Sequence, residues 1–139
     1  CIRDRFRNGI ETRHFMLGVS ANAVAHAAVV AADQMGIKTI AVVSDSGGAA
    51  RLMSECRPKA SIVAFTSDEV VYRRLAMVWG VTPVWMQPRM TQEELYESVE
   101  QELVARRLAE PGDPIVITCA VPIGCGGQTN QMKLHHIPI

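Results

Sequence analysis

An excess of charge of either sign is missing from this chain: 14 Lys and Arg are balanced by 14 Asp and Glu over 139 residues. A balanced chain offers no electrostatic footprint for nucleic acid or for an anionic membrane surface, so neither partner is expected. An apolar run of transmembrane length and a signal-peptide pattern are also missing, and the expectation is a soluble, cytoplasmic domain. Internal repeats and low-complexity linkers are absent as well. Cys1, Cys56, Cys119 and Cys125 show no paired metal spacing, so reduced thiols are expected rather than disulfides or a zinc site. Clustered catalytic groups are not seen either. Lys38, Lys59 and Lys133 are isolated, and Glu93, Glu94 and Glu97 read as the solvated face of one helix, so no catalytic and no metal-ligating residue is assigned. The chain starts at Cys1 without an initiator Met, which reads as a processed or excised piece of something longer.

What is present is a core and an alternation. A hydrophobic content of 48% is enough for one domain with a real interior. Residues 21–35, rich in Ala and Val, predict a helix capped by Ser20 or Asn22 and closed by Gly36. A strand is expected over 37–43, a turn over 44–48, and a short helix through Cys56 that Arg57-Pro58 ends. The second strand is 61–65. A helix follows over 68–79, with Asp68 at its cap and Gly80 as its stop. The third strand is 81–86, where Pro83 suits an edge or a strand start. Residues 88–90 lead into a helix over 91–108 with a Thr91/Glu94 capping box and Leu95, Val99, Leu103 and Leu108 at near-helical spacing. A turn at 111–114 precedes the last two strands, a doubly covered apolar run over 115–121 and an alternating stretch whose Met132, Leu134 and His136 suit one covered face. Such alternation favours an open, mostly parallel sheet with helices on both faces, with ligands beyond the carboxyl ends of the strands. Residues 1–19, polar and Arg-rich, stand outside this pattern, and the domain is expected over 20–139.

Two loops fall on that carboxyl edge if their strands are parallel. In the first, Ser44 and Ser46 offer hydroxyls, and Gly47 and Gly48 expose amides at a helix N-terminus, where an anion is favoured. In the second, over 122–130, Gly124, Gly126 and Gly127 let backbone N–H groups converge, and Thr129 and Asn130 add donors. Structural readings stand beside these: Ser44 as an ordinary helix cap, and the glycines as a plain turn. The convergence of two such loops favours a phosphate site.

Three blocks carry a family resemblance: VVSDSGGAARLMSECRPKASIVAFTS (residues 42–67), RRLAMVWGVTPV (73–84) and PIVITCAVPIGCGGQTNQMKLHHI (114–137). In order and spacing, the chain from about Gly18 to Ile137 resembles the C-terminal domain of pyruvate kinase, especially its bacterial, bacillus-type form. The resemblance implies a five-stranded open α/β sheet with an antiparallel last strand. It also implies an allosteric and assembly role, with the parent enzyme converting phosphoenolpyruvate and ADP to pyruvate and ATP with magnesium and potassium in a separate barrel domain. Residues 1–19 would then be a connecting segment from that barrel or its end. The implied partners are a phosphorylated sugar or nucleotide monophosphate effector and further copies of the chain, through a homodimer contact within a homotetramer. Carried over by position, Ser44, Asp45, Ser46, Gly47, Gly48 and Ala49 form the first half of the effector site, and Gly126, Gly127, Gln128 and Thr129 the second. Many relatives have a basic residue and a hydroxyl where this chain has Gly48 and Ala49. Asp45 opposes a phosphate: like charges at about 4 Å cost about 1 kcal/mol in water and about 4 kcal/mol at an intermediate effective dielectric.

Two rival readings come from other classes. One is a free-standing binding domain for a phosphorylated metabolite, without a barrel. The other is an enzyme with Cys125 as nucleophile and His135 or His136 as base; adjacent histidines on a strand point to opposite faces, which weighs against it. His26 reads as a packed or interface residue, and Trp79 and Trp85 as core or edge packing, with either ring able to border the effector site.

Overall fold

Strand β1 (Thr39–Val43) is buried along nearly its whole length, and that fixes the architecture. A strand apolar on both faces needs cover on both, and it sits at the centre of a sheet with the order β3-β2-β1-β4-β5. Its neighbours are β2 (Ser61–Thr66) and β4 (Pro114–Cys119), both parallel to it. Strand β3 (Val81–Trp85) extends the sheet in parallel beyond β2, and β5 (Gln131–His136) closes the other edge antiparallel to β4. The expected topology, including the antiparallel last strand, is the one found. The computed structural model describes residues 12–88, 91–120 and 129–139, with side chains from residue 21 onward.

Helices α1 (Thr12–Met35), α2 (Gly48–Glu55) and α3 (Glu69–Leu75) cover one face of the sheet. Their Ala25, Ala28, Ala32, Ala50, Met53, Val71 and Leu75 pack with Ile40, Val42, Ile62, Ala64 and Val116. Helix α4 (Gln92–Ala105) covers the opposite face, where Leu95, Val99 and Leu103 meet Ala41, Val63, Phe65, Ile115 and Ile117. The residues alternate between these cores along each central strand, as the period of two requires.

Several boundaries differ from the sequence reading. Helix α1 runs unbroken from Thr12, so Ser20 and Asn22 lie inside it and cap nothing. A capping side chain contributes about 1 kcal/mol, which continued backbone pairing outweighs. Its other end is as expected: Gly36 takes φ 65°, its N–H reaches Asp33 O, and Ile37 N–H reaches Ala32 O. That is the bonding of a Schellman close, with buried Ile37 as its hydrophobic contact, so β1 starts at Thr39 rather than at residue 37. Helix α3 stops at Leu75, short of residue 79, and tight turns from Met77 N–H to Arg74 O and Val78 N–H to Leu75 O lead into β3. Pro83 lies on an edge strand, as expected.

Helix α4 likewise ends at Ala105 rather than at residue 108, closed by Leu108 N–H to Leu103 O and Arg107 N–H to Val104 O. The left-handed position is Arg107 at φ 57°, where glycine is the usual residue.

Strand β5 departs from its pattern most. Met132 packs against the α1 side, but Leu134 is 48% exposed and His136 is exposed. The half-covered face instead carries Gln131, Lys133 and His135, because α4 meets it with polar side chains.

Two arginines with positive φ give a stability test. Arg107→Gly should raise unfolding free energy by about 0.5–1 kcal/mol, since the left-handed cost of a side chain exceeds the entropy cost of glycine. Arg57, at φ 50°, also lies over the Trp79 ring at 4.2 Å. Arg57→Gly should therefore gain about as much from its backbone as it loses in cation–π attraction, for a change near zero. Urea unfolding of both variants checks the difference.

Candidate functional site

The strand order reverses between β1 and β4: from β1 the chain builds outward to β2 and β3, then returns to place β4 on β1's other side. The crevice at such a reversal, beyond the carboxyl ends of the strands, is where open α/β sheets take ligands. Val42 is paired with Thr118, so the chain leaves β1 and β4 at neighbouring points of one edge.

The turn leaving β1 is built from the expected residues. Ser44 N–H donates to Phe65 O at 3.1 Å, extending the ladder one step beyond β1. Gly47 N–H donates to Ser44 Oγ at 3.0 Å, and Gly48 N–H to Ser46 Oγ at 3.4 Å. A hydroxyl that accepts one bond keeps its own proton to donate, so both serines still have an O–H for an acceptor. Gly47 sits at φ 77° and ψ 2° as the N-cap of α2, with no side-chain cap bond. The contrast with the other helices is clear: Asp68 caps α3 through Val70 and Val71 N–H, and Thr91 caps α4 through Glu94 N–H. Gly48 N–H aside, the first-turn amides of α2 therefore receive no acceptor from their N-cap residue as those of α3 and α4 do, at the end where the helix dipole is positive.

Gly47 is also held by packing. A Cβ there would come within 3.1 Å of Leu75 Cδ2 and 3.2 Å of Val71 Cγ1, both on α3. At Gly48 a Cβ would meet only Ser46 Oγ, at 3.5 Å. Asp45 and Ser46 are exposed, Ser44 and Gly48 half-buried, and Gly47 and Ala49 buried.

Of the second loop, Thr129 is buried, and Asn130 N–H donates to Cys119 O at 3.2 Å where the chain rejoins the sheet. Gly126, Gly127 and Gln128 lie outside the described residues. Thr118, fully buried in β4, has a hydroxyl oxygen without a hydrogen-bond partner among the described residues. The structure thus joins Ser44, Asp45, Ser46, Gly47, Gly48 and Ala49 in one turn, with Thr129 returning to the adjacent strand.

The rival nucleophile Cys125 also falls outside the described residues. His135 and His136 do point to opposite faces; His135 is bonded to Glu100, and His136 is exposed. His26 is exposed rather than packed, and Trp79 and Trp85 are about half exposed.

A polar seam between α4 and β5 was missed in the sequence. Gln92 Nε2 donates to Gln131 Oε1 at 2.7 Å and to the Tyr96 hydroxyl at 3.4 Å. Cys119 Sγ donates to the same Gln131 oxygen at 3.6 Å. Lys133 lies 4.1 Å over the Tyr96 ring, which stacks on His135. The signal was there: Gln92, Tyr96 and Glu100 recur at four-residue spacing, and Gln131, Lys133 and His135 at two. Burial pushes the Cys119 thiol pKa up, opposed by its hydrogen bond with Tyr96. Burial, and then the neighbouring Cys119, push the Tyr96 phenol up.

With this geometry in view, comparison with known proteins is decisive. The family described as "Pyruvate kinase, alpha/beta domain" matches residues 22–135. The chain belongs to that family. It is 37% identical over 115 residues to a pyruvate kinase of Lactobacillus delbrueckii subsp. bulgaricus, covering 83% of this chain and 20% of the relative. Against a pyruvate kinase of Lactococcus lactis subsp. lactis it is 40% identical over 107 residues, covering 77% of this chain and 21% of the relative. The chain thus spans about a fifth of the length of these curated pyruvate kinases. A solved structure of Cryptosporidium parvum pyruvate kinase in complex with ADP superposes with a TM-score of 0.77 at 28% identity, over 86% of this chain and 24% of that one. The resemblance of the three blocks to the pyruvate kinase α/β domain, and the fold it implied, are both borne out.

Gly47→Ala should cost about 1–3 kcal/mol through left-handed strain and the clash with Leu75 and Val71. Gly48→Ala, with room for its methyl, should be neutral or stabilise by up to about 1 kcal/mol. Paired chemical unfolding curves distinguish the two.

The seam predicts an alkaline limit. Cys119 and Tyr96 hold their protons to higher pH when folded, so the unfolded chain binds fewer protons as pH rises past the ordinary thiol range. Unfolding free energy should then fall with pH above about 8.5 and be unaffected by these groups below it. In Cys119→Ala combined with Tyr96→Phe this fall should be shallower, as pH-dependent melting would show.

Proposed function

We propose that this chain is the C-terminal allosteric and assembly domain of a pyruvate kinase whose full length catalyses the conversion of phosphoenolpyruvate and ADP to pyruvate and ATP in the cytoplasm. Residues 1–19 are the connection from the catalytic barrel, and α1 runs on from that segment into the domain of residues 20–139. Magnesium and potassium belong to the barrel's chemistry. Among the described residues here, no three His, Cys, Asp or Glu side chains gather where a metal could be held, and no step is assigned to this chain. Among the described residues, too, no helix is long and apolar enough to cross a membrane.

The observation that carries the regulatory reading is the uncapped start of α2 at the reversal of strand order, with two serine hydroxyls in the same turn. A phosphate group is the ligand that satisfies convergent N–H and O–H donors at a helix's positive end. Ser44, Ser46, Gly47, Gly48 and Ala49 serve it from one side, and Gly126, Gly127, Gln128 and Thr129 from the other. Asp45 is exposed in this turn and weakens the attraction, so a singly phosphorylated sugar or a nucleotide monophosphate suits the site better than a sugar bisphosphate.

Assembly uses the β5 edge. An unpaired strand edge with a half-exposed Leu134 beside it is a surface that a symmetric copy would cover.

Asp45→Lys should tighten binding of glucose 6-phosphate or AMP by about fivefold or more at low ionic strength, with the gain shrinking as salt is added. Titration calorimetry measures it, and an unchanged affinity would place the site elsewhere.

For assembly, sedimentation should show a monomer–dimer equilibrium that Leu134→Lys shifts to monomer, because a lysine on an edge strand opposes pairing. An equilibrium untouched by this variant would move the contact to a helix face.

A further inference from the structure

At the far side of the same carboxyl edge, where β2 and β3 end, an open cavity of about 410 Å³ is lined by Ser67, Glu69, Tyr72 and Trp85. Strand β2 stands between it and the β1/β4 crevice, so it is a separate place in the fold. Its volume is within the range of small-molecule sites. Trp85 is 46% exposed, and its Nε1–H donates to Ser67 O at 3.3 Å, which favours one orientation of the indole. A large aromatic side chain presented on the surface in a preferred orientation is a contact face, and Tyr72 adds a second ring.

The charges at this cavity choose the ligand. Glu69 supplies a carboxylate, 77% exposed, whose intramolecular partner is Arg73 at 3.7 Å, itself 76% exposed. An exposed helical pair of this spacing and length is weak and easily exchanged. Asp68, next to it, is engaged with the Val70 and Val71 amides and offsets the positive start of α3. One carboxylate, that of Glu69, beside two aromatic rings disfavours an anion and favours a cation. The flat carboxylate and the flat indole together favour a planar one, because a guanidinium can bond the first edge-on through paired N–H groups and lie against the second. This chain makes the same aromatic contact within itself, where the Arg57 guanidinium lies 4.2 Å over Trp79.

We infer that the Ser67–Glu69–Tyr72–Trp85 cavity is a binding site for a guanidinium group, with Glu69 as its counter-ion and Trp85 and Tyr72 as its stacking faces. The site is independent of the phosphate site and needs neither the barrel nor a second copy of the chain.

Tryptophan fluorescence tests this in the 139-residue chain, using Trp79→Phe so that Trp85 is the one remaining indole. L-Arginine and methylguanidine should change the emission saturably, with a Kd on the order of 1 mM, as two modest contacts imply. Citrulline, which has the same shape without the charge, should bind at least about tenfold more weakly. Glu69→Gln, at an exposed position with no packing to lose, should weaken arginine about tenfold while leaving the melting temperature near that of its parent. A blocked peptide with a central arginine separates the two sources: binding tighter than arginine identifies a polypeptide side chain, and weaker binding identifies a free guanidino compound. A strictly linear response to about 50 mM arginine, equal binding of citrulline, or an unaltered affinity in Glu69→Gln would each overturn the assignment.

Discussion

The rest of the structure depends on the parallel pairing of β1 with β2 on one side and β4 on the other. A central strand buried on both faces requires apolar helical cover on both, which α1, α2 and α3 supply from one side and α4 from the other. The same placement forces the chain to leave the sheet at two neighbouring points, after Val43 and after Cys119. A crevice lined by backbone donors follows from topology before any side chain is chosen. Ser44, Ser46 and Gly47 then give the β1 side of that crevice its hydroxyls and its left-handed turn.

Gly47 ties packing to the site. It must be left-handed to start α2 at this angle, and it must lack a side chain because α3 approaches through Leu75 and Val71. The turn is therefore held against α3 rather than projecting freely into solvent, which is the preorganisation that anion binding by backbone amides requires. Gly48 has no such constraint, since a Cβ there would meet only Ser46 Oγ. Asp45, exposed in the same turn, places a negative charge beside these amides.

Much of the fold was legible because its signals are local. Asp68 and Thr91 cap the helices they precede, and Gly36 with Ile37 closes α1, each through bonds reaching a few residues along the chain. The start of α1 was not legible, since Ser20 and Asn22 are good caps in isolation and only the continued helix overrides them. The face of β5 was misjudged for a longer-range reason. Leu134 looks like the buried residue until Gln92, Tyr96 and Glu100 arrive from α4, some 35 positions away in the case of Glu100 and His135, to satisfy the polar face instead. In the candidate site, the residue types and the shared edge could be read directly. That Ser44 already accepts from Gly47, and that α2 lacks a side-chain cap, needed three dimensions. Gly126, Gly127 and Gln128 remain a sequence inference.

The central claim is that the turn from β1 into α2 is the seat of a phosphate group. Amide chemical shifts in a ¹H–¹⁵N spectrum, followed while inorganic phosphate and then glucose 6-phosphate are titrated into the chain at low ionic strength, test it most directly. The account predicts the largest shifts at Ser46, Gly47, Gly48 and Ala49, saturating together and accompanied by Thr129. Saturable shifts centred elsewhere, with these amides unmoved, would contradict it.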